Sequence, residues 1–270
     1  MNDARPQGIT VRIEERAADA RIAHLSIDNV RRLNSLNSAL MTEFVDTVAQ
    51  LPHRVEGLRA LVVTGAGDKA FVGGADIDEM AAITDGEGAR RFITRVHRCC
   101  DVLRALPVPV IARIQGFTLG AGLELAAACD LRVAADSAQF GMPEVKLGIP
   151  SVVEAALLPD LVGWGRAREM LLLGENFGAA EALAWGMVER VVPADQLDAV
   201  VARWIDSLLH TGAQAVRIQK QLIQRWEELP MRDAVQAGID AFASAWDSPE
   251  PQRMMADFQT QRKARRAARD

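Results

Sequence analysis

Two glutamates stand 144 − 124 = 20 residues apart, each inside a short stretch of small or rigid residues. Glu124 lies in Gly120-Ala121-Gly122-Leu123-Glu124-Leu125, and Glu144 in Gln139-Phe140-Gly141-Met142-Pro143-Glu144-Val145. A carboxyl pair does acid–base work when one member releases a proton and the other accepts one, so their pKa values must be held apart. Glu124 falls in the first turn of an expected helix, where a carboxylate either caps its own helix or works in a cleft. Glu144 follows Pro143, which rigidifies the chain, although a lone glutamate in such a stretch is equally a solvated loop charge. Ahead of both runs Lys69-Ala70-Phe71-Val72-Gly73-Gly74-Ala75-Asp76-Ile77. Adjacent glycines permit positive φ and close backbone approach, and Asp76 can cap a helix starting near Ile77. Peptide N–H groups at such a turn can gather into an anion site; the same residues also suit a tight turn with no ligand.

Taken together, the three stretches suit one reaction. Two small-residue loops can each supply a peptide N–H to a single oxygen, and two carboxyls follow in chain order. Adding water across a 2-enoyl thioester needs that set. As water attacks the β-carbon, negative charge moves to the thioester oxygen, where preorganised donors supply several kcal/mol. One carboxyl accepts a proton from water and the other delivers one to the α-carbon, with no metal or nicotinamide required.

The elements that must position these groups can be read from periodicity. Ile9 to Ile13 and Arg21 to Ile27 alternate apolar and polar residues around Ala17 to Ala20, predicting an antiparallel hairpin. Leu40, Phe44, Val45 and Val48 have helical spacing within Ser38 to Leu51, with Ser38 as the expected cap. A strand at Arg59 to Thr64, a helix at Gly86 to Leu106, a strand at Val108 to Gln115, a helix at Gly120 to Cys129 and a strand at Leu131 to Ala134 follow. This alternation predicts crossover units and a sheet of parallel character. Beyond Pro150 the pattern is helical except for a strand at Met187 to Val192. Amphipathic segments at Leu197 to Leu209, Ala213 to Trp226, Arg232 to Trp246 and Pro249 to Ala264 end the chain.

Arg32-Leu33-Asn34-Ser35-Leu36-Asn37, Ala70 to Ile77, Gly120 to Ala126 and Ala138 to Val145 occur in an order and spacing that resemble the enoyl-CoA hydratase/isomerase (crotonase) superfamily, over essentially the whole chain. The resemblance implies an α/β crotonase-like fold with a ββα superhelical core over residues 1–195. It also implies a helical carboxyl-terminal region over 196–270 that serves trimerisation and CoA cover. It assigns the oxyanion hole to the N–H groups of Ala75 and Ala121; the family often has glycine at the latter position, and alanine serves if its φ is negative. Glu124 and Glu144 would hold the water, with Glu144 as proton donor to the α-carbon. Arg32, Leu33, Gly74, Asp76 and Ile77 would line the CoA channel, and Phe258, Arg262 and Lys263 would cover the nucleotide. Arg262 to Arg266 equally fit a solvated charged tail. The implied activity is reversible syn hydration of a trans-2-enoyl-CoA to a 3-hydroxyacyl-CoA. The alternatives are a Δ-isomerase or a non-catalytic acyl-CoA-binding protein of the same fold. No cofactor is required, since CoA is part of the substrate, and the expected assembly is a homotrimer or a dimer of trimers.

The chain departs from the family at Ser151-Val152-Val153-Glu154, where hydratases carry a glycine-rich stretch. Ser151-x-x-Glu154 before an apolar run is a capping-box pattern, so Glu154 is read as a cap and left out of the catalytic set. His24, His53, His97 and His210 adjoin neither glutamate motif and there is no tyrosine, which disfavours a Ser-His-Asp hydrolase or phenolic chemistry. Among 270 residues the net charge is −5, which argues against nucleic acid as the partner. Met1 to Gly8 lacks the layout of a signal peptide and no apolar run reaches the roughly 18 residues of a membrane span. Cys99, Cys100 and Cys129 fit neither a disulfide framework nor a metal site. A soluble, cytoplasmic protein is expected.

Overall fold

Alternating side chains make the first two strands, β1 (Gly8–Ala17) and β2 (Ala20–Asp28), which pair antiparallel as the sequence predicts. The computed structural model describes residues 7–17 and 19–267; of the stretches read above, residues 1–6, Ala18 and residues 268–270 lie outside that set. Helix α1 (Ser38–Arg54) buries the stripe Leu40, Phe44, Val48 and Leu51. Its cap is Asn37, not Ser38: Asn37 holds the extended backbone a cap needs and its Oδ1 accepts from the N–H of Leu40 at 2.9 Å. Ser38 is the first helical residue, and its Oγ donates to Glu79 Oε2 instead.

Three rounds of long strand and short strand follow. They are β3 (Leu58–Gly65) with β4 (Ala70–Val72), β5 (Val110–Ile114) with β6 (Phe117–Leu119), and β7 (Leu131–Ala135) with β8 (Gln139–Gly141). The helices between them are α2 (Ile77–Ala81), α3 (Gly86–Ala105) and α4 (Ala121–Ala127). Then come α5 (Leu158–Leu173), β9 (Asn176–Gly178), α6 (Ala179–Trp185), β10 (Arg190–Val192) and α7 (Leu197–Leu209). Each long strand joins a six-stranded sheet ordered β1-β2-β3-β5-β7-β10, while each short one joins a second sheet ordered β4-β6-β8-β9. Pairing is parallel except at β1–β2 and β8–β9. Every β-to-β corner therefore climbs from one sheet to the other before a helix returns the chain, which is the ββα repetition. Phe44, Phe71, Phe140, Leu61 and Leu103 fill the core without solvent contact. The sequence reading does not contain the three-residue strands of the second sheet, β4, β6, β8 and β9, which are too short for alternation to register, whereas β10 lies inside the strand expected at Met187 to Val192.

The chain divides into two compact units, the first ending at Ile205 and the second running Asp206–Asp270. Within the second, α8 (Ala213–Glu228), α9 (Met231–Ser244) and α10 (Glu250–Ala267) bear out the helical reading of this region. The Glu250 carboxylate accepts from Gln214 and Ala215 N–H at the start of α8, where an anion offsets the helix dipole. Among the described residues no helix is long and apolar enough to cross a membrane.

One polar knot sets the loop after β4. Asn34 is buried with φ +57; its Nδ2 donates to the carbonyls of Ala66 and Ala70 at 2.9 Å, and its Oδ1 accepts from Asn29 N–H. Asparagine suits this place because it tolerates the left-handed region and carries both donor and acceptor. The knot presents Leu33 and Leu36 to the loop. Gly73 N–H donates to the Leu33 carbonyl, Leu36 N–H to that of Gly74, and Asp76 N–H to that of Leu36.

Candidate active site

Strand-like pairing of Leu36 with both Gly74 and Asp76 turns the intervening Ala75 N–H to the opposite side, because successive peptide groups alternate. Among the described residues it donates to no acceptor. Asp76 then caps α2, its Oδ1 accepting from Glu79 N–H at 3.0 Å. This is the cap the sequence predicts.

The second loop begins with Gly120 at φ +52, which lets Gly120 N–H reach the Gly141 carbonyl while its own carbonyl starts α4. Ala121 is the first helical residue, so its N–H has no intrahelical acceptor. Its φ is negative: the positive-φ non-glycines among the described residues are Leu33, Asn34 and Val153. Alanine therefore meets the condition set for it above. The two loops touch. A Cβ on Gly122 would stand 2.0 Å from the Val72 carbonyl oxygen, so only glycine lets α4 lie this close to β4.

Glu124 enters from the first turn of α4 and is 3% exposed. Its Oε1 accepts from Ala155 N–H at 3.2 Å. Burial, then the neighbouring Glu144 charge, push its carboxyl up to about 8; the Ala155 N–H works against that shift and Glu154 adds to it. Glu144 sits on the short 3-10 turn Pro143–Leu147, half-buried, with its Oε2 accepting from Ser151 Oγ at 2.7 Å. Its Oε1 occupies the space over Gly120 where a Cβ would come within 2.3 Å. The sequence reading gives the donated proton to Glu144; the structure places the raised carboxyl at Glu124, the deeper of the two.

Both carboxyls line one cleft together with Gly74, Ala75, Ile77, Gly120 and Ala121. Its remaining walls are apolar: Met80 from α2, Phe92, Ile93 and Val96 from α3, and Leu147, Ile149 and Val152 beyond Glu144. An apolar cleft with two titratable groups and uncommitted N–H donors fits an acyl group and its carbonyl.

Comparison with known proteins gives the family and the fold. The family profile described as Enoyl-CoA hydratase/isomerase matches residues 17–267. The chain belongs to that family. It is 34% identical over 246 residues to a short-chain-enoyl-CoA hydratase of Clostridium acetobutylicum, covering 91% of this chain and 94% of the relative. It is 35% identical over 247 residues to a crotonyl-CoA hydratase of Syntrophomonas wolfei, again covering 91% and 94%. The crystal structure of an enoyl-CoA hydratase from Bacillus anthracis superposes with a TM-score of 0.86 at 30% identity, covering 93% of this chain and 96% of that one. The crotonase-like fold is thereby established.

Of the residues that family resemblance singles out, Ala75, Ala121, Glu124, Glu144, Gly74 and Ile77 share the cleft. Leu33 packs against Gly73 at 2.9 Å from where a Cβ would be, and Arg32 pairs with Asp76 and Asp78. The Asp76 side chain is committed to its cap and to Arg32. Phe258 and Lys263 are exposed on α10 in the second unit.

The capping box expected at Ser151-x-x-Glu154 does not form. The turn Val153–Leu157 is capped by Val152 with no side-chain bond, Ser151 serves Glu144, and the Glu154 carboxyl is buried against His97 Nδ1 at 2.7 Å. His97, which adjoins neither motif in sequence, thus reaches the neighbourhood of the pair. The sequence offered no signal for it, since α3 and the 153–157 turn meet only in the fold.

A buried carboxyl raised this far carries a signature in stability. Between the ordinary value of 4.5 and about 8, the native state retains a proton that the unfolded chain releases, so stability falls as pH rises through this window. Glu124→Gln removes that slope. Thermal melts of the two proteins are expected to show the variant gaining roughly several degrees on wild type at alkaline pH relative to pH 5. Parallel curves would mean Glu124 ionises normally.

Proposed function

We propose that the protein catalyses reversible hydration of a trans-2-enoyl-CoA to a 3-hydroxyacyl-CoA. The observation that carries this reading is the presence of two carboxyls and two uncommitted peptide N–H groups on the walls of one apolar cleft. In the proposed step the thioester oxygen accepts from Ala75 and Ala121 N–H. The ionised carboxyl takes a proton from water while the water oxygen attacks the β-carbon. The double-bond electrons move onto the thioester as an enolate, whose charge the two N–H groups bear. The α-carbon then collects the proton of the neutral carboxyl, and the pair ends with its single proton exchanged between members. At rest that proton is held at Glu124, which burial keeps neutral near pH 7. Water adds across the double bond with no net oxidation or reduction, so the step as written calls for no redox cofactor, and CoA arrives as part of the substrate.

The apolar walls from Met80, Phe92, Ile93, Val96 and Val152 suit an aliphatic acyl chain. Ile77 and the neighbouring backbone supply a path for the CoA arm. Cys99, Cys100 and Cys129 are buried thiols that form no disulfide among the described residues, which supports a reducing, cytoplasmic setting. We also propose a homotrimer, or a dimer of trimers, because Met231, Val235, Ile239 and Phe242 leave an exposed apolar row along α9. Light scattering is expected to return three or six times the 29.3 kDa chain mass; a monomer would contradict this.

The reaction is tested with crotonyl-CoA. Its conjugated absorbance is expected to fall in water with wild type, and kcat/KM to decline above about pH 8 as Glu124 ionises. Glu144→Gln is expected to lose turnover by roughly two orders of magnitude or more while still binding the CoA ester. A wild type that leaves 2-enoyl-CoA intact and instead produces it from a 3-enoyl-CoA would make the protein an isomerase.

A further inference from the structure

The short segment after Pro150 touches both carboxyls of the cleft. Ser151 Oγ donates to Glu144 Oε2, and Ala155 N–H donates to Glu124 Oε1. Between them Val153 adopts φ +41, a left-handed conformation that a β-branched residue rarely takes. Strain of this kind persists only where surrounding contacts over-determine the backbone. One such contact is next to it. Glu154 is 7% exposed, and its Oε1 lies 2.7 Å from His97 Nδ1 on α3. Its Oε2 is buried and has no hydrogen-bond partner. A buried carboxyl left half-satisfied is costly, so its placement calls for an explanation beyond packing.

We propose that Glu154, anchored by His97, is a positioning residue of the reaction: it fixes the turn that grips both catalytic carboxyls and sets a third acidic group beside Glu124. This inference rests on the hydratase reading for its purpose, though not for its test. The anchor explains the strain, because tying Glu154 to α3 forces the preceding Val153 into its unusual backbone. The third acidic group disfavours ionisation of Glu124, as any nearby like charge does. The groups around this centre come from four elements. Glu124 is faced by Glu144 of the 143–147 turn, by Glu154 of the 153–157 turn and by Cys100 of α3. Glu154 in turn is faced by His97, Cys99 and Cys100 of α3 and by Glu124 of α4. Burial pushes the Cys99 thiol up to about 12 and the Cys100 thiol well above its ordinary value, so both stay neutral and do not compete.

The test reads Glu124 directly. The infrared band of its neutral carboxyl, identified by its loss in Glu124→Gln, is titrated in wild type, Glu154→Gln and His97→Gln, with kcat and KM for crotonyl-CoA measured alongside. The wild-type midpoint is expected near 8. In Glu154→Gln, which keeps the shape of the side chain, it is expected to fall by roughly half a unit or more. His97→Gln alters a side chain that is 49% exposed and leaves the core intact. Without this partner the turn is no longer tied to α3 and does not hold Glu154 beside Glu124, so the midpoint moves the same way. Glu154→Ala, which also frees the turn, is expected to lower kcat roughly tenfold or more with KM little changed, and glutamine to restore most of it. Midpoints that coincide with wild type in both glutamine variants would overturn the proposal and reduce Glu154 to a structural residue. A wild type that titrates as described but hydrates no 2-enoyl-CoA would remove the reaction while leaving the arrangement of the three acids supported.

Discussion

The close approach of α4 to β4 is the constraint on which the site depends. Gly122 lies so near the Val72 carbonyl that no side chain fits between them. That contact brings the loop after β4 and the loop before α4 side by side, and it does so through backbone alone. Two consequences follow from it. Ala121, whose N–H is left over at the helix start, lines the same cleft as Ala75, whose N–H is left over from the pairing with Leu36. Glu124, one turn into the same helix, is carried into the protein interior, where the loss of hydration keeps its carboxyl neutral far above the usual range. The donors proposed for a developing oxyanion and a carboxyl able to hold a proton thus share one structural origin.

Much of this was legible in sequence. The small residues around Gly73 and Gly122 mark places where backbones meet, and that meaning is local enough to read from residue type. The long strands and helices announce themselves by periodicity, and the Asp76 cap by its position before Ile77. The short strands of the second sheet do not, since three residues carry no pattern. Ser38 and Asn37 are both acceptable caps, and the choice between them falls to backbone angles that Glu79, drawn from a distant helix, helps to set.

The misreading at Ser151 to Glu154 is the most instructive. The spacing is that of a local capping box, yet both side chains turn to partners elsewhere, Ser151 to Glu144 and Glu154 to His97, 57 residues away. A helix-start pattern presumes ordinary helical backbone, and the left-handed Val153 breaks that presumption. The segment instead holds the carboxyl pair directly, Ser151 bonding Glu144 and the N–H of Ala155 bonding Glu124.

The account stands on the two peptide N–H groups meeting at one oxygen between the carboxyls. A crystal structure with a saturated, unreactive substrate analogue such as butyryl-CoA tests this directly. The thioester oxygen is expected about 3 Å from both Ala75 N and Ala121 N, with the α- and β-carbons facing Glu124 and Glu144. A thioester oxygen bound away from either N–H, or an acyl chain lying outside the cleft, would contradict it.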